Sequence, residues 1–395
     1  MDITLTSHET AHTELLSQKI MAEIASQGGW IPFSRYMEMA LYEPGMGYYS
    51  AGAHKLGADG DFTTAPELSP LFGAAIVSSL LPILEGLKAQ GLPTQILEFG
   101  AGTGKLAESI LTRLNDLAFP LDCYDIIEIS PDLTQRQEAR LKPLSEKLSL
   151  STQCTWLSSL PENFKGIILA NEVLDAIPCD VIIYQKGFWY WRGVAVVDGK
   201  FAWAPGKPVE QSLLPESLRL DNCSEGYATE LHTLANAWMR HVAKHLDIGL
   251  FLTFDYGFPE NEYYHAQRLE GTLMAHHRHH AIQDPFHLPG LCDLTTHVEW
   301  SQLARSALEK QADDVYLSNQ ASYLLDAGIG HIALEVGDPS NPEIFLPISN
   351  ALQKLLSEAE MGELFKVFAF TKNLNAVLPD CTLEDLPGLR GRNRL

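Results

Sequence analysis

The sequence predicts an α/β fold: a doubly wound, mostly parallel sheet with an N-terminal helical and loop cap and two insertions. Three observations carry this prediction. Short apolar runs of strand length alternate with segments of helical period over residues 95–170 and again over 249–371, and alternating βα units imply a sheet covered by helices on both faces. The first of these runs ends in alternate glycines with a helix directly behind them, "QILEFGAGTGKLAESIL". Finally, 46% hydrophobic and 20% charged residues in a chain of 395 supply an ordinary globular core.

In chain order, Leu15, Leu16, Ile20 and Ile24 mark an amphipathic helix over 14–25. A stretch rich in Gly, Pro and aromatics follows over 30–73, then a helix over about 70–90. Strands are predicted at 95–99, 124–129, 153–157 and 166–170, separated by helices at 105–115 and 132–142. Residues 181–204 change to a hairpin pattern with the turn signal Asp198-Gly199. A helix over 229–246 leads to a buried strand at 249–255, and 256–291 reads as a long irregular excursion. The end alternates again: helix 295–310, strand 314–317, helix 319–327, a helix near 348–360 and strand 365–371. The expected organisation is a cap and substrate-cleft segment over 1–92, then a sheet domain over 93–395 with a hairpin insertion (about 181–224) and an excursion (about 257–294).

Composition excludes several function classes. With 28 Lys+Arg against 50 Asp+Glu the net charge is −22, which disfavours a nucleic-acid partner, since that binding is driven by cationic side chains. A basic protein or small cation suits this chain better. No uninterrupted apolar run reaches a membrane span, so no membrane insertion is expected. None of the six cysteines is spaced as CxxC, which gives no zinc or redox motif. The first 16 residues carry Asp2, Glu9 and Glu14 and no Lys or Arg; this is the wrong charge for a signal or transit peptide, so the cytoplasm is the expected compartment.

The glycine loop is the most informative stretch. Glycines permit positive φ and close approach of a ligand at a helix N-terminus, where free N–H groups favour anionic groups. A dinucleotide fingerprint needs G-x-G-x-x-G/A, but Lys105 stands where the third small residue belongs. The pattern from Glu98 through Gly100, Gly102 and Gly104 instead resembles the first motif of class I S-adenosylmethionine-dependent methyltransferases. Glu128, 24 residues after Gly104, ends the next strand and is the candidate for the ribose hydroxyls. In "LANEVLDAIP", Asn171, Glu172 and Asp175 emerge from the fourth strand, the position that faces a transferred group; Asn171 is also a good helix cap.

Beyond this motif the chain resembles, over about 24–372, the MidA-like methyltransferases, relatives of the mitochondrial complex I assembly factor that methylates arginine. The resemblance rests on "FSRYMEMALYEPGMGYYS", "GDFTTAPELSPLFG", "LEFGAGTGKLAESIL", "IEISPDLTQRQEARL", "LANEVLDAIPCDV", "DYGF", "GTLMAHHRHH", "DPFHLPGLCDLTTHVEW" and "MGELFKVF". It implies a Rossmann-like methyltransferase sheet and S-adenosyl-L-methionine as cofactor, S-adenosyl-L-homocysteine as product, and no metal. It also implies an arginine acceptor on a protein, for which a subunit of a respiratory NADH dehydrogenase is the expected partner. Glu98, Gly100, Gly102, Gly104, Glu128, Ser130 and Asn171 are then expected to bind cofactor. Glu172 and Asp175 are expected to be catalytic, and Asp61, Thr64, Glu67 and Asp255 to bind substrate. Guanidinium stays protonated, so carboxylates at its site are what its chemistry requires.

Other readings of the same residues are a methyltransferase for a small molecule or another side chain, and a cofactor-binding assembly factor without turnover. His276, His277, His279 and His280, with His287 nearby, lack the glutamate of a metal-binding helix and suit a loop shaping the substrate cleft. The aromatics Phe188, Trp189, Tyr190, Trp191 and Trp203 read as hairpin packing, and "LRGRNRL" as a solvated tail.

Overall fold

The computed structural model describes residues 5–51, 64–219, 223–278 and 280–395; Asp61 and His279 lie outside them. The chain forms two compact units interleaved along the sequence, one from residues 1–54, 174–237 and 258–299, the other from 55–173, 238–257 and 300–395.

The second unit holds the main sheet, built from β1 (Gln95–Phe99), β2 (Cys123–Ile127), β3 (Gln153–Leu157), β4 (Phe164–Asn171), β5 (Leu246–Phe258), β6 (Asp314–Asn319) and β7 (Phe365–Lys372). Their order is β6-β7-β5-β4-β1-β2-β3. β1 pairs in parallel with β2 and β4, β2 with β3, and β4 with β5. β7 runs antiparallel to its neighbours β5 and β6. The strand order turns back on itself at β1 and β4, and in an open α/β sheet ligands bind at the carboxyl ends of the strands at such a point. The glycine loop follows β1 and Asn171-Glu172 ends β4, so the topology itself marks one end of the sheet.

The helix Pro70–Ala89 belongs to this unit, although the sequence reading groups 1–92 together as a cap. Ser69 Oγ accepts the Leu71 amide at 3.2 Å and Pro70 opens the helix. Leu71, Phe72, Ile76, Leu80, Ile83 and Leu87 are buried in one core with Ile96, Leu106 and Ile110. Each such side chain contributes about 1.5–3 kcal/mol when removed from water. This helix corrects the expectation on apolar length: by length and composition it could cross a membrane, though most of it is buried here in protein. Polar Ser79 and Lys88 break the apolar run without interrupting the helix.

The first unit is antiparallel. The helix Ser7–Ser26 starts in a capping box in which Thr6 and Glu9 bond reciprocally, and packs with the helix Phe33–Tyr42 in a core that includes Leu16, Ile20, Phe33 and Tyr36. The hairpin insertion is a sheet in the order Lys200–Pro208, Phe188–Val197, Asp180–Gln185, Ala228–Leu231. Residues 228–231 are therefore strand, where the sequence pattern extends the following helix; pairing with Asp180–Gln185 overrides local preference. The helix begins at Thr233. The excursion is less irregular than expected, with a second small sheet, His280–Ile282, Met274–His277 and Asp293–Thr295.

The aromatic stripe divides as β alternation requires: Trp189 is buried and Phe188 is 64% exposed. The terminal segment, expected to be solvated, is pinned in the second unit. Arg394 N–H donates to the Leu317 carbonyl at 2.8 Å and its guanidinium pairs with Glu363 at 2.5 Å, while Leu389 is fully buried.

Candidate active site

The glycine loop closes the carboxyl end of β1. Gly100, Gly102 and Gly104 have φ of +60°, +54° and +81°, values that cost an L side chain about 1–2 kcal/mol each. Gly100 N–H donates to Ile127 O at 3.0 Å, tying the loop to β2, and Gly104 N–H donates to Ala101 O at 2.8 Å. Among the described residues the amides of Ala101, Gly102 and Thr103 have no protein acceptor. The loop thus presents donors at the N-terminus of the helix Lys105–Asp116, where the helix dipole favours a carboxylate or other anion.

Glu128 lies just past β2 and is held before any ligand arrives. Its Oε1 accepts Ser130 N–H at 2.9 Å and its Oε2 accepts Gln137 Nε2–H at 2.9 Å. Burial raises its pKa, opposed by these donors. Lone pairs remain on both oxygens for hydroxyl donors. Ile129, the next residue, is 67% exposed, an apolar surface beside a polar acceptor. Ser130 is buried, and its hydroxyl caps the helix Pro131–Leu148 through Leu133 N–H at 3.4 Å; it touches the site through its backbone amide.

Glu98 is 1% exposed and accepts the Tyr124 hydroxyl at 2.7 Å. Burial pushes its carboxyl up to about 7; the Tyr124 donor opposes this, and the Glu128 charge adds to it. With the folded value above the ordinary one, the protonated form favours folding, so this stability is complete at low pH and lost as pH rises through about 7. Glu98→Gln is therefore expected to be more stable than wild type by about 3 kcal/mol near pH 8 and equal to it near pH 4. Thermal melts at the two pH values test this. A stabilisation independent of pH would show that Glu98 does not titrate there.

At the end of β4, Asn171 Oδ1 is buried without a partner among the described residues, while its Nδ2 donates to Glu172 Oε1 at 3.0 Å. An acceptor left dry at this end of the sheet costs about 1–3 kcal/mol and calls for a ligand donor. Glu172 has φ +53°, and its N–H donates to Phe254 O at 2.8 Å. A non-glycine residue held left-handed at a strand end is strain of the kind that clusters at functional sites.

The remaining expected residues fall elsewhere. Glu67 meets the glycine loop: it accepts the Thr103 hydroxyl and pairs with Lys105 Nζ at 2.6 Å. Thr64 caps the short helix Ala65–Leu68 with its carbonyl. Asp255 is fully buried on β5, opposite Lys366 of β7, and its Oδ1 accepts Tyr256 N–H at 2.9 Å. Asp175 belongs to the first unit, buried, with its carbonyl accepting Thr296 N–H at 3.0 Å.

That unit has a polar aromatic cluster that sequence reasoning missed. The Tyr49 hydroxyl donates to both Asp293 oxygens at 3.0 and 2.9 Å and its ring stacks on Tyr42 at 5.6 Å. Tyr42 donates to Ala176 O at 2.8 Å. Burial first, then the charges of Asp293 and Asp175, hold the Tyr49 phenol well above its usual value. Also missed was Gln137, fully buried behind the glycine loop; its only signal is a polar residue on the inner face of the helix after Glu128. Among the described residues no three His, Cys, Asp or Glu side chains gather as a metal site.

The open loop amides, the clamped Glu128 and the dry Asn171 carbonyl fit a ligand with an amino-acid end and a ribose. Comparison with known proteins agrees. Residues 76–316 match a family model described as "Putative S-adenosyl-L-methionine-dependent methyltransferase". The chain is 28% identical to "Protein arginine methyltransferase NDUFAF7, mitochondrial" of Danio rerio, over 90% of this chain and 87% of that one. The Homo sapiens protein of the same name is also 28% identical, over 89% of this chain and 82% of its own length. The crystal structure of a Burkholderia thailandensis protein bound to S-adenosyl-homocysteine is 44% identical with a TM-score of 0.89, covering 99% of this chain and 98% of that one. The same fold, 44% identity over nearly the whole chain and a family model spanning most of it lead to one conclusion: this chain belongs to the MidA-like family of S-adenosyl-L-methionine-dependent methyltransferases.

Proposed function

We propose that the protein is a protein arginine N-methyltransferase whose acceptor is a subunit of a respiratory NADH dehydrogenase, acting in the cytoplasm. The observation that carries this reading is that relatives named protein arginine methyltransferase align over about nine-tenths of the chain. The named enzyme activity belongs to those relatives, and the specific acceptor rests on the resemblance to the complex I assembly family.

The chain's own residues supply what such a reaction needs. The cofactor, when bound, would supply a methyl group carried on its positively charged sulfonium sulfur. The loop amides of residues 101–103 are assigned to its carboxylate, Glu128 to its ribose and Asn171 Oδ1 to a donor on the ligand. Glu98, ionised in part near neutral pH, offers negative charge close to the loop. Glu172 is assigned to the acceptor guanidinium: it would align the attacking nitrogen and take the proton that nitrogen gives up as its N–CH3 bond forms and the S–CH3 bond breaks, the leaving group being the neutral thioether. Asp175 is the other carboxylate proposed to take part in the reaction. The net charge of −22 suits a cationic partner.

Purified protein incubated with methyl-labelled S-adenosylmethionine and a lysate of a strain lacking it is expected to label one protein on arginine. The same arginine in the NADH dehydrogenase is expected to lack its methyl mark in that strain, as read by mass spectrometry. Label appearing only on a small metabolite, with every arginine mark intact in the deletion strain, would replace this reading with a small-molecule methyltransferase.

A further inference from the structure

We infer that Gln137 is a positioning residue for the cofactor: its carboxamide locks the Gly102 carbonyl and the Glu128 carboxylate into one preformed unit. This rests on the glycine loop and Glu128 holding the cofactor. Gln137 is fully buried on the helix Pro131–Leu148. Its Nε2 donates to Gly102 O and to Glu128 Oε2, each at 2.9 Å, and its Oε1 accepts Trp156 Nε1–H at 2.8 Å. Indole nitrogen can only donate, so Trp156 fixes which end of the amide faces β3. Both amide hydrogens are thereby committed to the loop and the carboxylate.

The consequence for the loop follows from peptide geometry. A trans peptide holds its C=O and the next N–H on opposite sides, so anchoring Gly102 O to Gln137 turns the Thr103 N–H away from the helix. Arg140, one turn on, anchors Thr103 O at 2.7 Å and pairs with Glu108 at 2.6 Å. Gly104, φ +81°, lies so close that an added Cβ would meet Arg140 Cδ at 3.4 Å and Gln137 Cα at 3.5 Å. One helix face therefore holds two successive loop carbonyls and aims the ribose acceptor. Gln137 does this from behind, with no exposed surface of its own to offer a ligand.

The test is calorimetric titration with S-adenosyl-L-homocysteine across mildly acidic to neutral pH, for wild type, Gln137→Met, Gln137→Glu, Trp156→Phe and Glu128→Ala. Gln137→Met keeps similar volume without donors and is expected to bind about tenfold weaker or more near neutral pH. The acid limb of its affinity profile should move to higher pH, because a donor favouring ionised Glu128 is gone. A role in folding alone would lower the melting temperature and leave that limb in place. Glu98, the other carboxylate whose charge meets that of Glu128, is present in every variant, and its own titration falls only where the Glu128 charge is removed, so the Gln137 profiles are compared with wild type and Glu128→Ala is read for affinity. Gln137→Glu, which sets a like charge against Glu128, is expected to be weaker still.

A folded Gln137→Met variant with affinity within about twofold of wild type and an unmoved limb, while Glu128→Ala loses affinity, would overturn the inference. Unchanged binding by Glu128→Ala would instead remove the ribose reading beneath it. Should Gln137→Met fail to fold, Trp156→Phe decides: a smaller loss in the same direction supports the lock, since the amide is then free to flip, and wild-type binding refutes it.

Discussion

Gly102→Val is expected to abolish cofactor binding while leaving the protein folded. Gly102 sits at φ +54° in the loop between β1 and the helix Lys105–Asp116. A β-branched residue held there costs about 1–2 kcal/mol or more of backbone strain, a modest part of the stability of a typical domain. Binding suffers far more. A branched side chain would crowd the approach to the loop amides of residues 101–103, and relief of strain would turn the Gly102 carbonyl off Gln137. Affinity for S-adenosylmethionine or its product is expected to fall by about a hundredfold or more, equivalent to about 3 kcal/mol. Calorimetry beside circular dichroism separates the two effects. Binding equal to wild type would remove the glycine loop from the cofactor site.

The second large effect is expected at Glu172. Glu172→Gln keeps the shape of the side chain and an acceptor for Asn171 Nδ2, so the left-handed turn at φ +53° and the bond from Glu172 N–H to Phe254 O should persist. The variant loses only the charge and the ability to take a proton. Cofactor affinity is expected to stay within about threefold of wild type, while turnover falls by about 10²–10⁴-fold, the range for removing a group that acts on a proton in the transition state. Asp175→Asn is measured alongside it, with at least one of the two variants nearly inactive. Parallel loss of affinity and turnover in Glu172→Gln would make Glu172 a cofactor ligand. Full activity in both variants would remove both carboxylates from the chemistry.

The sheet and the glycine loop were legible in the sequence because both are written in neighbouring residues. A strand ending at Phe99, three alternate glycines and an immediate helix specify a backbone path by local sterics alone. The ribose candidate Glu128 then follows at a spacing set by one helix and one strand. Asn171 and Glu172 were legible for the same reason, as polar residues ending an apolar strand. What depends on distant partners was not legible. Residues 228–231 carry a pattern that also suits a helix, and become strand only by pairing with Asp180–Gln185. β7 reads like any other buried strand, and its reversed direction is decided by the register it finds between β5 and β6. The tail "LRGRNRL" looks solvated until Glu363 and the Leu317 carbonyl meet Arg394. Gln137 is one more polar residue on a helix, and its role exists only because Gly102, Glu128 and Trp156 surround it. By itself the sequence determined the alternation of strands and helices and the left-handed path of the glycine loop, since these follow from backbone preference and side-chain type over a few tens of residues. Only the tertiary structure decided that Glu172 belongs to the sheet unit and Asp175 to the other, and that Glu67 meets the glycine loop. Those outcomes depend on which distant groups a side chain meets, and local spacing carries no information about that.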